Sequence, residues 1–426
     1  MTEFASTLTA NDPPALLAEQ RNQRVIDATQ LRKPDRVPIF MRFLGLLPEL
    51  MKATPLDLYE NHDLAQEALE RAALLFQPDM CQGVVGSPQS SRILGDRSSK
   101  WPGYGLGPEG SYQFHEAEFM KADDYDAFLV DPSDWAIRHY LPRVFGELEP
   151  LSMLPPLAMC LTGDHLIAQL GHMLTLEPFV AALEKIKQAA KSKTDLAAIR
   201  AASARRMMEL GFPPIPFYAG ANACAPFDFM SDTLRGMKGI FMDLRRCPEK
   251  VLAAEERVIP ILIEHSIAAC RAKNVPYTFF PLHRGSDGFI SLHAFEKFYW
   301  PQLKQVLLAL IDFGVIPVVF YEGAWDQRLK YLAELPKGKT IGFFQDTDLI
   351  QAKQIIGDTM CIAGGMPNSL LNCGTPRQVR ERTRLLCRDV GAGGGFIMTT
   401  GIGDLQGCKL ELIQAWADAT MEFGVN

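Results

Sequence analysis

The chain has 426 residues, 47% of them apolar and 22% charged, with 33 glycines, 29 prolines and nine cysteines, which excludes a disordered chain, a collagen-like fibre and a small disulfide scaffold. Forty-three Lys and Arg against fifty Asp and Glu give a net charge of −7, and no basic run exceeds two residues. An extended nucleic-acid or lipid-headgroup surface is therefore not expected, and a small molecule or a protein is the better partner. The cysteines are odd in number and never spaced C-x-x-C, so neither paired disulfides nor a zinc ribbon is indicated and a reducing cytoplasm fits. The N-terminus lacks a basic region followed by an apolar core, and no stretch approaches 18 consecutive apolar residues, so neither secretion nor a membrane span is expected.

In chain order, residues 1–14 read as a flexible tail and Pro13-Pro14 leads into a helix over 15–31. A strand follows in Arg36-Val-Pro-Ile-Phe-Met-Arg42, then a helix over 56–76 and a strand over 80–85. From 86 the composition shifts to Gly, Pro, Ser and aromatics, and 166–211 reads as helix. The stretch 86–212 is read as insertions on one main fold that occupies 15–426. Beyond it, short β-rich runs at 216–220, 277–281, 316–321, 340–344, 360–364 and 395–399 recur between helices at 251–273, 292–313, 348–356 and 375–389. Buried all-apolar strands alternating with helices call for a parallel sheet, and eight such units close into a single (β/α)8 TIM barrel, an α/β fold with helical and loop insertions. Its chemistry belongs at the C-terminal strand ends.

Reading each strand through to its exit gives Arg42, Asp79, Asn222 with Asp228, His283 with Arg284 and Asp287, Tyr321 with Glu322, Gln345 with Asp346, Met366 with Asn368, and Thr399 with Thr400. Flanking aromatics (Phe217, Tyr218, Phe279, Phe280, Phe320, Tyr321) suit a planar ligand bearing a polar group. Arg42 can clamp a carboxylate or form an ion pair at the rim. Asp79 follows a proline at a strand entrance, where catalysis competes with capping or turn formation. Glu322, after five apolar residues, is a base, a metal ligand or the partner of an interior cation. His283 leaves its strand in Pro281-Leu-His-Arg-Gly-Ser-Asp-Gly288, a loop loose enough to close round a ligand, or else bonds to backbone.

Three motif-like strings lead nowhere. Gly105-Leu-Gly107-Pro-Glu-Gly110 follows no strand, Gly338-Lys339-Thr340 precedes a strand where a phosphate loop needs a helix, and Gly391-Ala-Gly-Gly-Gly395 reads as a helix stop.

Four segments resemble the uroporphyrinogen decarboxylase superfamily, whose single (β/α)8 barrels include decarboxylases and methyltransferases that serve corrinoid proteins. The segment Arg36-Val-Pro-Ile-Phe-Met-Arg42-Phe-Leu-Gly-Leu-Leu-Pro-Glu49 is similar to its R-x-P-V-W-x-M-R-Q-A-G-R-Y-x-P-E. Tyr218-Ala-Gly-Ala-Asn-Ala-Cys-Ala-Pro-Phe227 is similar to its G-x-x-G-x-P-x-T turn. Cys361-Ile-Ala-Gly-Gly-Met-Pro367 and Gly395-Phe-Ile-Met-Thr-Thr-Gly-Ile402 resemble two strand ends. The decarboxylase pattern implies Arg42 and Asp79 as functional, but its second arginine is Leu46 here and its late histidine is Thr399 or Thr400. The zinc-thiolate H-x-C pattern of other members falls on Phe320 and Glu322, and its last cysteine near Ile402. Glu322-Gly-Ala-Trp-Asp-Gln-Arg328-Leu329 instead resembles the E-G-x-W/Y-x-x-R-L of demethylating methyltransferases.

The resemblance thus implies a methyltransferase that moves a methyl group from a small methylated, aromatic O-methyl donor to a corrinoid (cobalamin). No stretch resembles the corrinoid-binding D-x-H-x-x-G signature, so that cofactor is expected on a partner protein. Glu322, His283 and Asp79 are the expected catalytic residues. Arg42, Tyr218, Asn222, Phe280, Asp287 and Tyr321 are expected to bind substrate. His283 and Glu322 are candidate ligands if zinc or another divalent metal supplies the electrophile. The alternatives are a decarboxylase or other lyase, and a barrel that binds a small molecule without turnover. Homodimer formation is left open.

Overall fold

A computed structural model describes residues 13–83, 86–401 and 403–425. The tail expected over 1–14, the last two residues of the strand expected over 80–85, and Ile402 fall wholly or mostly outside those residues. Eight parallel strands form the expected barrel: β1 (Phe40–Arg42), β2 (Met80–Gln82), β3 (Ala221–Asn222), β4 (Tyr277–Leu282), β5 (Ile316–Tyr321), β6 (Thr340–Phe344), β7 (Met360–Gly365) and β8 (Phe396–Thr399). Strands β3 to β8 pair in sequential order, a bridge from Met398 to Ile39 joins β8 to β1, and β1 pairs with β2. The seam between β2 and β3 carries no ladder among the described residues, and the chain between them holds the insertions.

Side-chain alternation sorts these strands into two faces. Phe40, Val318, Phe320, Ile341, Phe343, Cys361, Ala363 and Ile397 fill the barrel interior together with Phe217. Their neighbours Met41, Phe280, Val319, Tyr321, Phe344, Ile362 and Met398 join the larger core beneath the outer helices. The interior is aromatic, with the Phe320 and Phe343 ring centroids 4.6 Å apart and Phe40 edge-on to Phe343 at 6.0 Å.

Some element boundaries differ from the sequence reading. The strand expected at 216–220 is a single turn, Pro216–Tyr218, and β3 begins only at Ala221. Gly220 lets it pass Tyr277 closely, since a Cβ there would lie 1.8 Å from the Tyr277 carbonyl oxygen. The helix expected over 56–76 is two, Pro55–Glu60 and His62–Phe76, because Asn61 leaves helical geometry and accepts the Leu64 N–H as a cap. In the insertion, Glu177–Glu209 is one helix of 33 residues, and Leu148, Leu151, Leu154, Met173, Phe179 and Ala182 make a small core of their own.

Candidate active site

The loop leaving β4 meets a helical segment that follows β3. There the helical turn Pro226–Asp228 continues into a wider, π-helical stretch, Phe229–Arg235. Asp228 and Asp232, four residues apart, face the same loop. Asp228 accepts the backbone N–H of His283 at 3.0 Å, that of Arg284 at 3.2 Å and the Tyr299 hydroxyl at 2.8 Å, which fixes the turn. Asp232 Oδ2 lies 2.5 Å from His283 Nδ1, while its Oδ1 accepts from Arg284 Nε at 2.9 Å. Arg284 also pairs with Glu116 from the insertion.

The other ring nitrogen of His283, Nε2, lies 3.4 Å from Glu322 Oε1 at the end of β5. His283 therefore stands between two carboxylates, at the open end of the barrel, with both its side chain and that of Glu322 about a third exposed (37% and 34%). Burial alone would lower the imidazole pKa, but the hydrogen bonds and charges of Asp232 and Glu322 outweigh it and raise the pKa to about 10. Asp228 moves the opposite way from most paired carboxylates: burial, then the charge of Asp232, push it up to about 7. Behind it, on the helix Pro248–Lys273, Glu255 is fully buried, and neither carboxylate oxygen has a partner among the described residues. Burial, then the charge of the neighbouring Asp228, push its pKa well above the usual carboxylate range.

Across the mouth, Arg42 ends β1. Its Nε donates to Gln82 at 2.9 Å, and its guanidinium lies 5.6 Å from the Phe320 ring centroid. Tyr218 packs its ring on Phe279 at 5.0 Å and on Phe320 at 6.1 Å. The hydroxyls of Tyr218 and Thr399 are buried without a protein partner among the described residues. Asn222 is exposed and shares a register position with Phe279.

Four of the expected site residues lie elsewhere. Asp79 precedes β2 at the closed, N-terminal end of the barrel, fully buried between Arg24 at 2.6 Å and Arg36 at 2.7 Å, and it also accepts the Ile39 N–H. Phe280 and Tyr321 point outward by strand alternation; Tyr321 stacks on Phe344 at 4.7 Å and meets Trp325. Asp287 is consumed by the buried Arg328 and the Gln327 N–H, a clasp between the loops after β4 and β5. Sequence reading missed Asp232, Glu116 and Glu255. The four-residue spacing from Asp228 could have found Asp232; nothing local points to Glu116 or Glu255.

The profile of the uroporphyrinogen decarboxylase (URO-D) family matches residues 173–423, well over half of the chain. The chain belongs to the URO-D family. Over 118 residues it is 29% identical to a uroporphyrinogen decarboxylase from Syntrophotalea carbinolica, a stretch that is 28% of this chain and 34% of that relative. The chain thus spans about a third of the relative it matches. A methyltransferase from Methanosarcina mazei shares the fold with a TM-score of 0.59 at 12% identity, over 95% of this chain and 98% of that one.

Within this URO-D barrel, Leu46, at the position where the resemblance puts a second arginine, is a core side chain at 1% exposure. Nor is the donor set that of a metal site. Both nitrogens of His283 face carboxylates, and among the described residues no three His, Cys, Asp or Glu side chains are disposed to hold an ion.

Proposed function

We propose that this URO-D family member is a methyltransferase that demethylates a small aromatic O-methyl compound and passes the methyl group to a corrinoid on a partner protein. The observation that carries this reading is the chain Asp232–His283–Glu322 at the mouth of an aromatic barrel. Cleaving an aryl methyl ether requires a proton for the departing oxygen. An imidazolium with a pKa of about 10 matches a phenol, whose own value is about 10, so the transfer is close to balanced. Asp232 holds Nδ1 and leaves Nε2 directed at Glu322, where substrate oxygen can compete for its proton. Phe279 and Phe320 supply aromatic walls, and Arg42 stands where a ring carboxylate would be clamped.

A cobalt(I) corrinoid delivered by the partner would supply the nucleophile. The exposure of His283, Glu322 and Asn222 leaves that side of the mouth open to it. Leu46 in the core and threonine in place of a late histidine weigh against the lyase reading.

The test is an anaerobic assay of methoxylated benzoates with a corrinoid carrier reduced to cobalt(I). Formation of the phenol with the methylcobalt absorption is expected, and Glu322→Gln should lower kcat by about 10²–10⁴-fold with the fold intact. Full activity in that variant would remove Glu322 from the mechanism. Decarboxylated product without cobalamin would favour the lyase, and tight binding without turnover the non-catalytic barrel.

A further inference from the structure

A line of alternating acidic and basic side chains runs from the barrel mouth into the insertion. Glu322, His283, Asp232, Arg284 and Glu116 follow one another, each in contact with the next, and Glu116 lies 168 residues from Arg284 in sequence. The side chains of Asp232, Arg284 and Glu116 are 11%, 13% and 26% exposed, so salt screens their contacts only weakly.

Arg284 meets Asp232 in a lopsided way. An arginine that offers Nε and Nη2 to a carboxylate ordinarily takes one oxygen with each, in two parallel bonds. Here both donors converge on Oδ1, Nε at 2.9 Å and Nη2 at 2.8 Å, and Oδ2 is left to His283 Nδ1 at 2.5 Å. Nη2 is shared, because it also bonds Glu116 Oε2. Nε is shared with the Ser231 hydroxyl at 3.0 Å, and the Phe289 ring centroid lies 4.7 Å from the guanidinium.

Glu116 is itself held in place. Its Oε1 accepts the Met237 N–H, the Met120 N–H donates to the Leu234 carbonyl at 2.7 Å, and Glu118 pairs with Arg235 at 2.6 Å. Residues 116–120 thus lie along the π-helical stretch that carries Asp232. Without the Glu116 carboxylate, Nη2 is released to take Oδ2, which completes the two-pronged pair with Asp232 at the expense of His283.

We propose that Glu116 is a positioning residue of the site: by holding Nη2 of Arg284 it reserves Asp232 Oδ2 for His283 and so fixes the orientation of the imidazole. Asp228 fixes the loop through the backbone N–H groups of His283 and Arg284, and Glu322 faces the opposite ring nitrogen, so neither replaces Asp232 at Nδ1. The proposal applies to any reaction at this site, and only its kinetic arm rests on the methyltransferase reading.

NMR of the full chain, isotope-labelled at its histidines, tests it through the His283 Nδ1 proton, assigned by its loss in His283→Gln. In Glu116→Ala this signal is expected to move upfield and to exchange with water about tenfold faster, as on losing a charge-assisted bond, while circular dichroism shows a folded chain. In an Arg284→Gln background, which cannot form the two-pronged pair, Glu116→Ala is expected to leave the signal where it was. A signal unmoved in Glu116→Ala, or one moved equally in both backgrounds, overturns the proposal. If Arg284→Gln fails to fold, Glu116→Gln, which keeps an oxygen for Nη2, must disturb the signal less than Glu116→Ala does, and equal disturbance overturns the proposal. In the methyl-transfer assay, Glu116→Ala should lower kcat about tenfold at unchanged KM. The expected NMR response in a chain without methyl transfer would uphold the proposal and remove the methyltransferase reading alone.

Discussion

His283 Nδ1 lies 2.5 Å from Asp232 Oδ2, a contact that spans 51 residues and decides the charge state of the site. Burial would lower the imidazole pKa, but the hydrogen bonds and charges of Asp232 and Glu322 raise it to about 10, so the imidazole holds a proton in neutral solution. Asp232→Asn should therefore lower the His283 pKa from about 10 by roughly one to two pH units. An NMR titration of the ring protons measures it directly. An unmoved titration would show that Glu322 alone sustains the cation.

Stability should fall with rising pH at this site. The His283 pKa is raised from 6.5 to about 10, so its stabilisation is complete below 6.5 and is lost as pH rises through about 10. Asp228 is raised from 3.8 to about 7, so it too favours the folded state in its protonated form and loses that contribution as pH climbs through 7. Urea midpoints measured between these limits should decline, and the Asp228→Asn/His283→Gln double variant should flatten the decline. A midpoint that rises over this window contradicts both assignments.

Asp79 should behave as a structural residue. Its removal leaves Arg24 and Arg36 buried and uncompensated, so Asp79→Ala should cost about 3–5 kcal/mol in denaturant unfolding. Burial opposes its charge, but Arg36 and Arg24 more than offset this and hold its pKa below 3.8, so that stabilisation is present above 3.8 and lost in more acid solution. A folded variant with unchanged stability and lost turnover would return Asp79 to the catalytic set.

Among the described residues, neither oxygen of the Glu255 carboxyl group has a partner. Such a group costs about 1–3 kcal/mol, and Glu255→Met, similar in volume, should raise stability by that order. Calorimetry checks it. A loss of stability would show that the carboxyl makes a bond worth more than its burial costs.

Dialysis against EDTA should leave activity unchanged, because the ring nitrogens of His283 are engaged by Asp232 and Glu322. Activity lost on dialysis and restored by zinc would place a metal in the reaction after all.

The sequence alone determined the alternation of strands and helices, and with it a barrel whose strand exits bring Arg42, His283 and Glu322 to one end. Apolar runs and the residues that stop them are local properties, readable without neighbours. Only the tertiary structure decided which half of each strand faces inward. A strand apolar on both faces has no alternation to read, so Phe280 and Tyr321 looked as suitable as Phe279 and Phe320. It also decided which acids stand beside which cations. Protonation states follow from those long-range contacts and from burial, neither of which is a property of any short stretch of chain.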